Sequence, residues 1–305
     1  MAGHPIIFGE VLFDSFPDGE SVLGGAPFNV AWHLQGFGLH PRFLSCVGED
    51  RLGETVKQKM HDWGMDMSLL QEVNDKPTGK VQISFVDGEP HYDICADQAY
   101  DHIAFTPDLG DALASDCELF YYGSLAVRAD NNAATLQSLL QASSSHVRKL
   151  MDVNLRPPWW QYDQLSRLVK AADWVKLNKD ELWQLNSSTQ AAPESNSDEL
   201  TQAAQNYLEK NSLSGLIVTQ GEQGALILHG DQLVRAQTPK VSNMVNPVGA
   251  GDAFTAVFIL GSLLHWSLSD SLQRAQQFAA KICETKAAIS EDRSLYQNLL
   301  QQWSQ

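Results

Sequence analysis

The sequence predicts an α/β fold: a doubly wound, mostly parallel sheet flanked by helices, with a second, smaller sheet inserted near its start. Three observations carry this. Short apolar runs of strand length alternate with segments of helical pattern along most of the chain. Polar residues and glycines (Asp14, Gly123, Asn154, Asn178 and Thr219) stand at the ends of those runs, which is where ligands sit in open parallel sheets. Two segments, Asp14–Leu23 and Thr78–Ile94, break the alternation with extended patterns of their own.

In chain order, the strand-like runs are Ile6–Phe13, Phe43–Val47, Leu119–Tyr122, Lys149–Val153, Trp174–Lys176, Leu216–Thr219 and Ala225–Leu228. Helical stretches fall between them at Asn29–Leu34, Gly53–Trp63, Asn132–Ala142, Tyr162–Ala171 and Leu200–Asn211. Strands separated by helices call for parallel pairing with crossovers. In the second extended segment Val81, Ile83 and Phe85 alternate with Gln82 and Ser84, Asp87-Gly88 reads as a turn, and His91–Ile94 as the returning strand. Asn186–Asp198, rich in Ser, Gln, Asn and Ala, reads as a surface loop. No repeat and no linker is visible, so residues 1–305 are expected to form one domain.

The bulk numbers narrow the function. With 305 residues and 43% hydrophobic content the chain can bury one large core. A formal net charge of −16, spread along the chain, argues against nucleic acid or an anionic membrane as partner. Cys46, Cys95, Cys117 and Cys283 form no C-x-x-C pair, which fits a reduced cytoplasmic protein. The start lacks a basic signal-peptide region, and the most apolar run, Ala253–Leu264, is shorter than the ~20 residues a membrane span needs. Among the histidines, His33, His40, His61, His91, His102 and His146 show no metal-ligand spacing and read as satisfied or solvated. No Gly-x-x-x-x-Gly-Lys-Ser/Thr run is present, which excludes a P-loop kinase.

Two segments carry chemistry. Asn246-Pro247-Val248-Gly249-Ala250-Gly251-Asp252-Ala253-Phe254 is a glycine turn opening an apolar helix. Backbone N–H groups converge there at the positive end of a helix, a site for an anion. A carboxylate inside such a turn would repel that anion, so Asp252 reads as a base acting on a neutral hydroxyl; an ordinary dipole-matched helix start is the other reading. Near the N-terminus, Asp14 is followed by Leu23-Gly24-Gly25-Ala26-Pro27-Phe28-Asn29. The glycine pair bares the backbone, Pro27 suits a first helical turn, and Asp14 and Asn29 supply groups that a polyhydroxyl compound needs.

Together these segments resemble the two signatures of the ribokinase-like, or PfkB, carbohydrate kinases. Asp152-Val153-Asn154-Leu155-Arg156, Val175–Leu182 and Val218–Ala225 stand between them in that family's order, and the resemblance covers nearly the whole chain. The Gly9-Glu10-xxx-Asp14 start, Gly123-Ser124 and Trp159-Trp160 are most similar to bacterial fructokinases. The resemblance implies a ribokinase-like fold whose small sheet is a lid, at about residues 14–23 and 78–97. It implies ATP-dependent phosphorylation of a sugar, most similar to fructose giving fructose 6-phosphate, with Asp252 as general base and Gly249, Ala250 and Gly251 as the anion hole. Asp14, Gly24, Gly25, Asn29 and Arg156 would bind sugar. Asn178, Thr219, Gly221 and Gly224 would meet the nucleotide, with Glu181 placing Mg²⁺ through water. Lys176 and Arg156 would offset the repulsion between ATP and an acidic protein. The rival readings are a kinase of ribose, 2-keto-3-deoxygluconate or a nucleoside, and a catalytically silent binding or regulatory member. Asn246-Pro247 replaces the family's usual Asp-Thr, which puts a monovalent cation in doubt, and Thr285–Ala288 lacks its usual glycine near the adenine. Pairing of lids into a homodimer is a further expectation.

Overall fold

The computed structural model describes residues 4–86, 89–115, 117–186, 197–241 and 243–304. Its strands are β1 (Ile6–Phe8), β2 (Leu12–Ser15), β3 (Ser21–Gly24), β4 (Arg42–Gly48), β5 (Leu70–Val73), β6 (Gly79–Val86), β7 (Glu89–Ile94), β8 (Leu119–Gly123), β9 (Arg148–Asp152), β10 (Trp174–Asn178), β11 (Gly215–Thr219), β12 (Ala225–His229) and β13 (Gln232–Ala236). The helices are α1 (Ala26–Gly36), α2 (Arg51–Trp63), α3 (Pro107–Ser115), α4 (Asp130–Ala142), α5 (Tyr162–Lys170), α6 (Lys179–Asn186), α7 (Ser197–Lys210), α8 (Ala250–Leu263), α9 (Leu268–Ile282) and α10 (Arg293–Trp303).

A nine-stranded sheet runs β13-β12-β11-β10-β9-β8-β1-β4-β5. It is parallel from β5 to β11 and ends in antiparallel β12 and β13. Its central strands are buried on both faces because helices cover both. One core layer holds α1, α8, α9 and α10, and the other packs the opposite face with α3 to α7. Helix α8 is buried nearly all round, from Ala253 to Leu263 apart from the half-buried Ser262, which is why its sequence shows no polar face. It packs between the sheet, α1 and α9. This confirms the doubly wound architecture.

The apolar run Ile6–Phe13 is not one strand, contrary to expectation. The chain leaves the main sheet at Gly9-Glu10, and β2 joins a second sheet of order β3-β2-β6-β7. A Cβ at Gly9 would lie 2.2 Å from Pro27 Cγ, so a side chain there would push α1 off the end of β1. Asp14 therefore sits inside β2, opposite Val22 and Val81, and not at a main-sheet strand end. The small sheet stands where the lid was expected. Its Val81 and Ile83 are buried, Val81 against Leu12 and Tyr100, while Phe85 and Tyr92 stay exposed. The expected turn at Asp87-Gly88 lies outside the described residues, as does most of the expected loop Asn186–Asp198. Among the described residues no helix is long and apolar enough to cross a membrane.

Candidate functional site

The two signature segments meet. Helix α1 starts directly after β3 because Gly24 and Gly25 let the chain turn against the lid root. Gly25 has φ +110°, and a Cβ there would lie 2.7 Å from the Glu10 carbonyl oxygen. Pro27 occupies the first turn, where its missing N–H costs nothing, and Asn29 follows, buried. At the other end of the chain Gly249 caps α8 in the left-handed region at φ +85°. Ala288 closes on it so tightly that a Cβ would come within 2.5 Å of Ala288 Cβ. Asn29 Nδ2 then donates to Asp252 Oδ2 at 2.7 Å, across 223 residues of sequence.

The electrostatics follow from enclosure. Burial pushes the Asp252 carboxyl from 3.8 up to about 6, while the Asn29 amide and the Lys176 and Arg156 charges hold it from rising further. Burial also raises Asp14, and Arg156 opposes the rise. A Cβ on Gly24 would sit 3.9 Å from Asn29 Oδ1 and 4.0 Å from Asp14 Oδ2, so Gly24 keeps open the space that these two acceptors border. Asp14, Gly24, Gly25, Asn29, Arg156 and Asp252 are thus brought together.

Beneath the glycine turn lies a polar network that motif reading missed. Lys176, in the middle of β10, is buried and donates to Asp152 Oδ2 at 2.7 Å. The Tyr121 and Thr255 hydroxyls reach the same oxygen at 3.5 and 3.3 Å. Thr255 Oγ also lies 2.9 Å from the Gly251 carbonyl, tying the network to the turn. A buried lysine is rarely without a partner, so a lysine inside the apolar run Trp174–Leu177 was the available signal. Lys176 is consequently not an open cation for ATP, as the sequence suggested; it is paired, and its charge reaches Asp252 from below.

His33 is a satisfied core histidine, as expected. It lies 2.9 Å from the Tyr296 hydroxyl and its Nε2 donates to the Ala288 carbonyl at 3.1 Å. Burial lowers its pKa to about 3, so it is neutral. Its bond holds in place the residue that walls Gly249.

On the other flank, Asn178 and Glu181 form a reciprocal pair at the junction of β10 and α6. Asn178 Oδ1 accepts from the Glu181 N–H, and Glu181 Oε2 accepts from the Asn178 N–H, both at 2.8 Å. Glu181 Oε1 takes the Leu155 N–H at 2.7 Å, and burial raises the carboxyl. Both oxygens are therefore engaged with backbone, each with a lone pair to spare. Thr219 ends β11, and the loop to β12 carries Gly221 at φ +56° and Gly224 at φ +105°. A Cβ at Gly224 would lie 2.1 Å from the Ala236 carbonyl, so packing against β13 alone demands glycine there. Asn246 is engaged locally: its amide donates to the Lys286 carbonyl and its oxygen accepts the Val248 N–H, both at 3.0 Å. Among the described residues no group of three His, Cys, Asp or Glu side chains could hold a metal.

Comparison with known proteins bears on the family and the fold. The Escherichia coli fructokinase is 27% identical over 274 residues, covering 86% of this chain and 85% of that protein. Salmonella typhimurium aminoimidazole riboside kinase is 25% identical over 301 residues, covering 93% and 90%. The structure of Xylella fastidiosa fructokinase with bound ATP superimposes with a TM-score of 0.80 at 20% identity, covering 100% of both chains, which establishes the ribokinase-like fold. The model of the pfkB family carbohydrate kinases matches residues 12–294, both signature segments included. The chain therefore belongs to the pfkB family of carbohydrate kinases, ATP-dependent phosphotransferases with an alcohol group as acceptor.

Proposed function

We propose that the protein phosphorylates D-fructose to fructose 6-phosphate, with Asp252 as general base. The observation that carries this is the Asn29–Asp252 hydrogen bond. It holds a carboxyl of raised pKa at the mouth of the glycine turn that opens α8, beside the sugar-side acceptors Asp14 and Asn29. The Gly249 and Gly251 N–H groups suit the charge of a phosphoryl group in transit, while the expected Ala250 N–H is turned to the Pro247 carbonyl at 3.3 Å; Asp252 suits the removal of a proton from an attacking hydroxyl. Arg156, exposed and felt electrostatically by Asp14 and Asp252, fits a clamp on sugar or phosphate. Thr219, Gly221, Gly224 and Asn178 border the nucleotide in this reading.

Mg²⁺ fits only an indirect site here. Glu181 spends both oxygens on backbone N–H groups, so it would steady the ion through water, with ATP phosphates as the main ligands. The ion would supply positive charge at the phosphates.

Fructose rests on the fructokinase resemblance of the Gly9-Glu10-xxx-Asp14 start and on the E. coli relative. A nucleoside acceptor is the second reading, supported by similarity to the riboside kinase. An ADP-release assay over D-fructose, D-ribose, 2-keto-3-deoxygluconate and nucleosides tests the choice. The expected result is the highest kcat/KM with fructose; a higher value with another acceptor replaces fructose, and no turnover with any favours a silent role. The reading includes a cytoplasmic homodimer joined through the lid, where Phe85 and Tyr92 are each 56% exposed. Light scattering at micromolar concentration tests it: a mass near 33.7 kDa with sugar and nucleotide present rules the dimer out.

A further inference from the structure

Glu10 is a buried carboxyl at the site to which the scheme above gives no role. It lies where the chain passes from β1 to the lid strand β2, and it is 3% exposed. Its backbone is pinned: the Glu10 carbonyl closes on Gly25, and Gly9 closes on Pro27. The side chain is not pinned in the same way. The N–H groups of Glu10 itself and of Ala26 favour its charge, yet Oε2 has no hydrogen-bond partner among the described residues. Asn29 Oδ1 is buried and partnerless in the same way, while its Nδ2 is held by Asp252. A buried polar atom left unpaired costs roughly 1–3 kcal/mol, and two acceptors left so, on segments that close on the neighbouring Gly24 and Gly25, point to a ligand that supplies donors to them.

We propose that Glu10 is a further substrate-binding residue, whose Oε2 takes a hydroxyl of the bound sugar beside the one that Asn29 and Asp252 hold. This rests on the sugar-kinase reading and adds to it a residue at the lid root. The surroundings fit. Burial raises the Glu10 carboxyl to about 7, with Arg156 lowering it and Asp252 raising it. Tyr121 from β8, Tyr100 beneath the lid, and Arg128 also feel its charge. Burial pushes Tyr100 and Tyr121 up, so they remain protonated, whereas Glu10 and Asp252 exchange protons near neutrality. A carboxyl that carries its proton for part of the time can both give and accept a hydrogen bond. A sugar hydroxyl does the same. Binding a hydroxyl at Glu10 would also couple sugar to the hinge between β1 and β2, since the same residue links the two sheets.

The experiment compares wild type, Glu10→Ala and Glu10→Gln with D-fructose, whichever single-deoxy fructoses are turned over, and ATP. Loss of one hydrogen bond to a charged or proton-sharing group predicts a sugar KM raised about 10- to 100-fold in Glu10→Ala. The KM for ATP should stay within about twofold, and Glu10→Gln, which keeps shape and both hydrogen-bonding senses, should recover most of the loss. One deoxy sugar should lose at least tenfold in kcat/KM with wild type and lose nothing further in Glu10→Ala, which identifies the hydroxyl. A cap on α1 alone would move the melting temperature and both KM values together and would penalise every deoxy sugar equally in the two enzymes; either pattern overturns the proposal. If Glu10→Ala fails to fold, the same deoxy comparison between wild type and Glu10→Met, which keeps the volume but cannot make the bond, decides it, and equal penalties at every position count against. Wild-type enzyme inactive on all sugars would instead strike at the sugar-kinase reading itself.

Discussion

Replacing Asp252 by asparagine should produce a protein that is nearly inactive and more stable than the original. The substitution removes charge while keeping shape, and the new amide oxygen can still accept from Asn29 Nδ2. In the wild type, enclosure raises the carboxyl from 3.8 to about 6. At roughly 1.4 kcal/mol per pKa unit, that rise corresponds to about 3 kcal/mol by which the folded state resists ionisation at pH 7. The sign is set by direction. A group whose folded pKa lies above its unfolded value stabilises fully below about pH 4 and loses that contribution as pH climbs through about 6. The neutral variant escapes this loss, so its advantage should be absent at pH 4 and complete by pH 7.5. For a chain of 305 residues, about 3 kcal/mol is worth about 4–5 °C in melting temperature. Meanwhile kcat should fall about 10²- to 10⁴-fold with little change in either KM, as expected of a base that acts only in the transition state. Calorimetry at pH 4, 6 and 7.5 beside ADP-release kinetics reads both effects. Most of the activity retained, or a melting temperature unchanged or lower at pH 7.5, would refute the reasoning.

Lys176→Met should cost about 3–5 kcal/mol in urea unfolding by stranding the buried Asp152 charge, and adding Asp152→Leu should recover much of it; a single variant as stable as wild type would show the pair is idle. Asp14→Ala should raise the sugar KM at least tenfold with a much smaller change in kcat, because Asp14 borders the space kept open by Gly24; steady-state kinetics with unchanged sugar KM would remove it from the pocket. Because Asn246 gives its amide to the Lys286 carbonyl and offers no charged oxygen, the rate should be alike in KCl and NaCl at constant ionic strength. Strong, selective stimulation by K⁺ would show that a cation is held without it.

Much of the architecture was legible because its causes are local. The alternation of apolar runs and helical stretches marked most of the main-sheet strands, and the glycine turn with Pro27 marked the starts of α8 and α1. Other features depend on what another part of the chain does. Gly9-Glu10 interrupts an apolar run too briefly to announce that Ile6–Phe8 and Leu12–Ser15 belong to different sheets. The sequence marks Gly224 for the nucleotide alone, and its need for glycine also has a packing cause in β13 that only the fold shows. Glu181 and Lys176 each had an obvious polar use on the surface, and burial turned both toward internal partners. Short β5 and β13 have no pattern strong enough to stand alone; neighbouring strands define them.

The division of the lid between distant stretches bears on how the molecule assembles. Its core ladder pairs Leu12–Ser15 with Gly79–Gln82 in parallel, and everything between, from α1 to β5, belongs to the larger layer. Closing that span costs chain entropy that four pairs of residues cannot repay alone. The lid must therefore form after β1 and β4 have docked, and it must open before they separate. Amide hydrogens of Phe13 and Val81 should accordingly exchange through a cheaper, partial opening, while those of Ile7 and Leu44 wait for global unfolding. Equal protection of the two sets in native-state hydrogen exchange would mean that lid and sheet break as one unit.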